Sequence, residues 1–433
     1  MYITTRNKLP KVDFYNALLT GLAPDGGLYI PDHFPNLKTE IAEHMQTFSL
    51  PTLGTNILKH FDTGIPENDL EILIKNALSF PIPLVPLREN MFLLEVFHGP
   101  TLSFKDVGAR FMANVLSYFL QQKNQRVIIL VATSGDTGSA IAHAFHNKPN
   151  VDVFILFPSK KISFLQEQQM TTLGGNVHAI EVEGTFDDCQ AFVKKALLDD
   201  EIRQNHILTT ANSINISRLL PQILFHGWGV VQLFQQGISI PPILSVPSGN
   251  FGNLVSALYA ERIGIPIENF IAATNINAIV PRYLETGSFV SQPSQKSYSN
   301  AMDVGNPSNF ERLLAFFNND LEAIRNSIKG ISITDEQTIE QIRKTYEQTG
   351  YILDPHTAVG VAAAKAAGIR NDLPIIVTAT AHPAKFPEVI KFALGFDIEL
   401  PPSLKATLDL PKKVVKIKPQ YSELKTLLLY SKS

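Results

Sequence analysis

One lysine, Lys105, stands in the stretch EVFHGPTLSFKDVGARF (95–111) among Phe97, Leu102, Phe104 and Phe111, shortly after a turn built from Gly99 and Pro100. Most lysines in a soluble protein keep their ammonium in water and serve only solubility. One held among apolar side chains is desolvated, which lowers its pKa and favours the neutral, nucleophilic amine. Such an amine can bond to a carbonyl or move a proton.

Three polar loops offer partners for it. TSGDTGSA (133–140) follows the apolar run VIILVAT and opens a helix-like stretch. Its small residues let backbone N–H groups approach an anion, and Ser134 and Thr137 add hydroxyls; an ordinary strand-to-helix turn capped by Asp136 or Thr137 is the competing reading. PSGNFGN (247–253) repeats the arrangement after ILSVPS, with Gly249 and Gly252 free to adopt positive φ and a helix beginning near Leu254. A phosphate fits such a loop without any lysine. The loop is neither a Walker A sequence nor a G-x-G-x-x-G fingerprint. TATAHPAKF (378–386) places Thr380 and His382 in a turn and Pro383 at the start of a helix, where His382 either does acid–base work or satisfies backbone groups.

Other groups are less distinctive. His143 and His146 share a helix face, yet no third ligand type lies nearby and H-E-x-x-H is absent, so they read as structural. SNAMDVGNPSNF (299–310) gathers amides around Asp303, and ANSINISR (211–218) ends on Arg218, which suits either a bidentate anion contact or a surface salt bridge. A phosphate cradle without a nucleotide fingerprint, a desolvated lysine and a hydroxyl at a third strand end together suggest pyridoxal 5′-phosphate, which needs an amine for its aldehyde, an anion site and a partner for its ring nitrogen.

The elements that position these groups follow a repeating pattern. Continuous apolar runs at 127–133, 151–157, 177–183, 243–248, 270–275 and 374–381 alternate with helix-length stretches. This predicts parallel sheet covered on both faces, an α/β fold with ligands beyond the carboxyl ends of the strands. Thr185 and Asp188 form a capping box for the helix after 183, and one long helix bent at Pro221 is predicted across SINISRLLPQILFHGWGVVQLF. The first 85 or so residues lack the rhythm and read as a small N-terminal domain, with SFPIPLVPL as the joint; residues 284–309 read as a long loop or lid. The expected partition is 1–85, 86–210 with the lysine, and 211–433 with the phosphate loop.

Composition excludes several classes. Lys and Arg total 37 against 40 Asp and Glu, a net charge of −3, so there is no basic footprint for nucleic acid or membrane surface. Cys189 is the sole cysteine, which rules out an internal disulfide and suits a reducing cytosol. No secretory signal is expected from the first residues, and no apolar run approaches the ~20 residues of a membrane span. The expected setting is the cytoplasm, as a monomer or small homo-oligomer.

HGPTLSFKD, TSGDTGSA, ANSINISR, PSGNFGN, SNAMDV and TAHPAKF, with GLAPDGGLYIP (21–31) near the start, resemble in this order the motif series of the threonine synthase family, in its branch with an extended N-terminal region. The resemblance implies two parallel-sheet, three-layer α/β domains of the tryptophan-synthase-β-like pyridoxal-phosphate fold (fold type II) beside a small N-terminal domain. It also implies conversion of O-phospho-L-homoserine and water to L-threonine and phosphate. Lys105 would then carry the Schiff base, Gly249, Asn250, Phe251, Gly252 and Asn253 would line the phosphate cradle, and Thr380 would face the ring nitrogen. Ser134, Gly135, Asp136, Thr137 and Gly138 would lie by the 3′-oxygen and the substrate carboxylate; many members of the wider fold group have asparagine where this chain has Asp136. Lys160, Lys161, Ser163 and Arg218 are the candidates for the substrate phosphate, with Asn300 and Asp303 in a lid. Two rival readings are a serine or threonine dehydratase or β-replacement enzyme of the same fold group, and a non-catalytic relative that only binds.

Overall fold

The computed structural model describes residues 1–133, 135–370 and 372–430. Two parallel sheets dominate it. The larger has six strands in the spatial order Ile328–Ser332, Asn269–Thr274, Ile243–Pro247, Ile375–Ala379, Met91–Glu95 and Leu84–Arg88, and only the last runs antiparallel to its neighbour. The smaller has five parallel strands in the order Val414–Ile417, Val177–Val182, Val151–Pro158, Val127–Ala132 and Ile207–Thr210. A short antiparallel pair, Tyr2–Thr4 with Tyr29–Pro31, belongs to the N-terminal region.

The apolar runs become strands because both of their faces are buried. Every residue of Val127–Ala132 and Ile243–Pro247 is buried, and alternate side chains enter different cores, as a period of two requires. Val127, Ile129 and Val131 join Phe92, Leu94, Leu244 and Val246 in one core between the sheets, with Phe14, Leu18 and Leu53 of the N-terminal region. Ile128 and Leu130 point into a separate core of the smaller sheet, and Leu93 and Val377 into one on the outer face of the larger.

Strand pairing departs from the expected contiguous partition. Met91–Glu95 and Leu84–Arg88 lie before the lysine in sequence but complete the larger sheet, and Val414–Ile417 returns to the edge of the smaller one. The predicted long helix is two helices, Ile216–Leu219 and Gln222–Gln235, because Pro221 lacks the N–H needed to continue the first and begins the second instead. The Thr185–Asp188 capping box forms at the start of helix Phe186–Leu197. Positive φ in the 249–253 loop falls on Phe251, at +62°, and on neither glycine. Residues 288–299 lack regular structure and lead into a short 3₁₀ turn, Asn300–Met302. Among the described residues no helix is long and apolar enough to cross a membrane.

Candidate active site

Lys105 opens the helix Lys105–Lys123, and hydrogen bonds dictate where that helix begins. Phe104 N–H donates to the Thr380 carbonyl at 2.8 Å, and His382 N–H donates to the Leu102 carbonyl at 3.1 Å. These bonds hold Leu102 at φ +58°, a region that non-glycine residues avoid. Asp106 closes the preceding turn by accepting from Thr101 N–H at 2.9 Å and Thr101 Oγ1 at 2.7 Å. Lys105 and Thr380 are thereby brought side by side from distant parts of the chain.

The sheet supplies the rest. Strand Ile375–Ala379 pairs in parallel with Met91–Glu95 on one side and Ile243–Pro247 on the other. Their carboxyl ends are therefore ~5 Å apart in succession, and deliver the lysine loop, Thr380 and the 249–253 loop to one edge. Helix Gly252–Arg262 directs its N-terminus at that edge. Gly249 is required for close approach: a Cβ there would lie 2.8 Å from Met302 Cα and 2.9 Å from the Ala301 carbonyl. Asn250 is tied to the following segment, its Oδ1 accepting from Ser308 N–H at 3.2 Å. Asn253 turns its amide inward, donating to the Pro247 carbonyl at 3.3 Å and accepting from His226 Nε2 at 3.0 Å.

The smaller sheet contributes from the opposite side. Strand Val127–Ala132 is flanked by Val151–Pro158 and Ile207–Thr210, so the 133–138 loop, the Lys160 loop and the Arg218 segment are also neighbours. Ser134 lies outside the described residues. Thr133 Oγ1 accepts from the N–H groups of Gly135 at 3.0 Å and Gly138 at 2.9 Å, which withdraws two donors from any ligand and leaves the first-turn positions of Asp136 and Thr137. Gly135 sits at φ +145°, where an added Cβ would meet Gln166 Oε1 at 2.5 Å. Gln166 in turn donates to Asp136 Oδ1 at 2.8 Å and accepts from Ser163 Oγ at 3.1 Å, so Ser163 braces this loop.

The Lys105 Nζ lies 3.5 Å from Asp136 Oδ2 and 5.0 Å from the centre of the Phe104 ring. Burial lowers its pKa first of all; Asp136 opposes that, and the cations Lys385 and Arg218 reinforce it. Asp136 is held far below the usual carboxylate range because Lys385 and Lys105 outweigh its own burial. Lys385, in the turn after Thr380, is fully buried and 2.8 Å from Asp136 Oδ1.

Arg218 is not at the surface. It is buried, donates through Nη1 to the Ala211 carbonyl and has Nε without a partner. Burial brings its pKa down to about 10, so it remains charged at neutral pH. Asn300 likewise has a buried Oδ1 without a partner. Asp303 is already engaged, accepting from Asn275 Nδ2 at 2.8 Å, Ser297 Oγ at 2.6 Å and Ser297 N–H at 3.0 Å. It knots the 295–303 segment and presents no free oxygen. Lys160 and Lys161 are exposed, at the end of strand Val151–Pro158.

Further groupings support the site. His356 Nε2 accepts from Ala301 N–H at 3.1 Å while its Nδ1–H donates to Asp354 at 2.8 Å, fixing the turn that packs on Gly249. His98 hydrogen-bonds Glu95 at 2.7 Å, and Tyr351 donates to the same carboxylate at 2.6 Å. His382 accepts from Ala384 N–H through Nδ1 at 3.1 Å, the backbone-satisfying role. The buried Arg312 joins the N-terminal region to the site's rim: it donates to the carbonyls of Tyr29, Ser213 and Ile214 and to Asn309 Oδ1.

A buried amine, a hydroxyl residue at the neighbouring strand end, and a helix N-terminus behind a loop whose Gly249 position admits no Cβ supply the amine, ring partner and anion site that pyridoxal phosphate requires. The residues present fit that group.

Comparison with known proteins agrees along the whole length. Residues 1–78 match the family described as threonine synthase N terminus, 79–380 that of pyridoxal-phosphate dependent enzymes, and 357–428 the threonine synthase C-terminal family. The chain is 40% identical over 420 residues to the threonine synthase of Escherichia coli (strain K12), covering 97% of each. Among solved structures, Escherichia coli threonine synthase superposes with a TM-score of 0.93 at 39% identity over 100% of both chains. The threonine synthase of Brucella melitensis, solved with PLP bound, superposes at 0.93 and 36% identity over 99% of this chain and 98% of that one.

Proposed function

The chain belongs to the threonine synthase family of pyridoxal-phosphate-dependent enzymes, and from that premise we propose that it acts on O-phospho-L-homoserine, with Lys105 as the reactive amine. Its activity is threonine formation and its cofactor is pyridoxal 5′-phosphate. The observation that carries the residue assignment is the bond from Phe104 N–H to the Thr380 carbonyl, which sets Lys105 beside Thr380 and one strand from the 249–253 loop.

The backbone of Gly249–Asn253 and the start of helix Gly252–Arg262 would hold the cofactor's phosphate, and the Thr380 hydroxyl would meet the ring nitrogen. When bound, the cofactor supplies an aldehyde that bonds the substrate amine and a conjugated ring that takes up the electron pair left as Cα loses its proton. Lys105 would carry one proton at a time, taking that of substrate Cα, passing it on, and taking that of Cβ once neutral again. Phosphate would leave from Cγ with the C–O bonding pair and gain a proton, water would add at Cβ and lose one, and the same amine would return protons to Cγ and Cα. A lysine suits this sequence because burial lowers its pKa, which favours the neutral amine, and because it stands at the centre of the loops. Arg218, charged and with Nε unpaired, is the first candidate to receive the departing phosphate, with Ser163, Asn300, Lys160 and Lys161 as further candidates. Thr137 and the first-turn N–H groups beside it face the substrate carboxylate. The free, buried Cys189 supports a reducing, cytoplasmic setting.

The test is substrate exchange. Incubation with O-phospho-L-homoserine is expected to release phosphate and threonine in equal amounts, and Lys105→Ala to abolish both turnover and the cofactor's visible absorbance. Keto-acid formation from serine or threonine with no phosphate release would overturn the proposal.

A further inference from the structure

Two lysines and one carboxylate meet at this site. Lys385 is 0% exposed, an uncommon position for an ammonium, which must find acceptors when removed from water. It ends the turn Pro383–Lys385 that follows a strand of the six-stranded sheet. Its Nζ donates to the Thr101 carbonyl at 2.7 Å and to Asp136 Oδ1 at 2.8 Å. Thr101 belongs to the turn that starts the Lys105 helix, and Asp136 opens the helix Asp136–Phe145 that follows the strand Val127–Ala132 of the five-stranded sheet. One buried charge therefore ties three loops together and joins the two sheets. Lys105 reaches the other oxygen of the same carboxylate only at 3.5 Å, too far for a hydrogen bond of ordinary strength.

We infer that Lys385 is a positioning residue of the reaction: by holding Asp136 from across the two sheets, it prevents that carboxylate from pairing closely with Lys105 and leaves the Lys105 amine free to bond and to carry protons. The argument is one of competition. A single carboxylate cannot neutralise two ammonium groups, and Lys385 has the shorter contact and no access to water. Gln166 occupies the same Oδ1 at 2.8 Å and fixes the carboxylate's orientation toward Lys385. Were Lys385 neutral, Asp136 would retain one cation within reach, and Lys105 would become its ion-pair partner, locked as ammonium. The other charged or titratable groups around the three are Asp106, Arg218, His143 and His382. Asp106 is turned to Thr101. Arg218 repels a charge on Lys105. His143 is kept neutral by burial at about 4, and His382 is also shifted downward, chiefly by burial. None of them replaces Lys385 as the partner of Asp136.

This inference rests on Lys105 being the reactive amine. The experiment is trace acetylation with acetic anhydride of the full-length chain stripped of cofactor, across a pH series, with the Lys105 peptide followed by mass spectrometry. Lys385→Met removes charge and hydrogen bonds together; should it not fold, Lys385→Gln, which can still donate to Thr101 and Asp136, carries the same test. Either variant is expected to raise the pH of half-maximal Lys105 labelling by about one unit, which is about tenfold slower labelling below that pH. Adding Asp136→Asn is expected to return labelling to the wild-type pH or below. An unchanged labelling pH in the Lys385 variant overturns the inference, as does failure of the second substitution to reverse it. Borohydride reduction of the wild-type holoenzyme separates the two readings. Absence of the cofactor tag on Lys105 would overturn the assignment of Lys105, whatever the Lys385 variants do.

Discussion

Gly249→Ala is the sharpest probe of the phosphate loop, because the structure states what the added methyl would strike. The new Cβ would lie 2.8 Å from Met302 Cα and 2.9 Å from the Ala301 carbonyl, against an ordinary contact of 3.4 Å or more. Both obstacles are backbone, so no side chain can swing aside. The Asn300–Met302 turn is moreover pinned by the bond from Ala301 N–H to His356, itself oriented by Asp354. About 0.6 Å must therefore open between the turn and the loop. Overpacking of this kind costs about 1–3 kcal/mol, which, falling on cofactor binding, weakens it about fivefold to 150-fold. Gly252 is the control. Its Cβ would meet only side chains, the Asn309 amide at 3.3 Å and Leu219 Cδ1 at 3.8 Å, and Gly252→Ala should weaken binding severalfold at most. The assay is titration of cofactor-free protein with pyridoxal phosphate, read by visible absorbance, with thermal unfolding of each apoprotein alongside. Gly249→Ala binding the cofactor as tightly as wild type, or no more weakly than Gly252→Ala, would refute the claim that the loop needs glycine for close approach.

Two further outcomes follow from buried titratable groups. Burial holds His226 neutral, at about 4, despite its bonds to Asn253. Between pH 6.5 and 4 the unfolded chain gains a proton that folded His226 refuses, so stability falls as pH falls through that window, by about 3 kcal/mol. His226→Gln, which can still donate to Asn253, should shallow that acid limb in urea unfolding, leaving the part that His143 contributes; an unchanged limb would show that His226 titrates normally in the fold. Burial, with a contribution from Asp188, pushes the Cys189 thiol up to about 12, so iodoacetamide at pH 8 should leave the folded protein unlabelled and modify it only in denaturant. Rapid labelling of native protein would contradict the buried placement.

Local pattern made six of the thirteen strands among the described residues legible. Val127–Ala132, Val151–Pro158 and Ile243–Pro247 are buried on both faces and therefore continuously apolar, and the loops at their ends announce themselves by glycine and small polar residues. Sheet membership was not legible. The strand Met91–Glu95 precedes the lysine by only a short segment, yet pairs with Ile375–Ala379, and nothing local encodes a partner so far along the chain. Ile207–Thr210 and Ile328–Ser332 escaped notice because they are short and only partly buried. The positive φ at Phe251 could not be read either, since the two glycines beside it are the residues that normally signal it.

Lys385 marks the same boundary within the site. It stands in TATAHPAKF, a stretch conspicuous for Thr380 and His382, and a lysine after a turn reads as a solvated cation. Its meaning depends on Asp136, which reaches it only because two sheets face one another across a shared core. The charge balance at the reactive amine is consequently a property of the assembled fold: each sheet alone holds an unpaired buried charge, Lys385 on one and Asp136 on the other. Each such charge would cost several kcal/mol if left without the other. Correct docking of the sheets therefore neutralises both and, by the same contact, leaves Lys105 with the longer, 3.5 Å contact to the shared carboxylate. The interaction that joins the two sheets thus adds to the burial that already lowers the pKa of the amine.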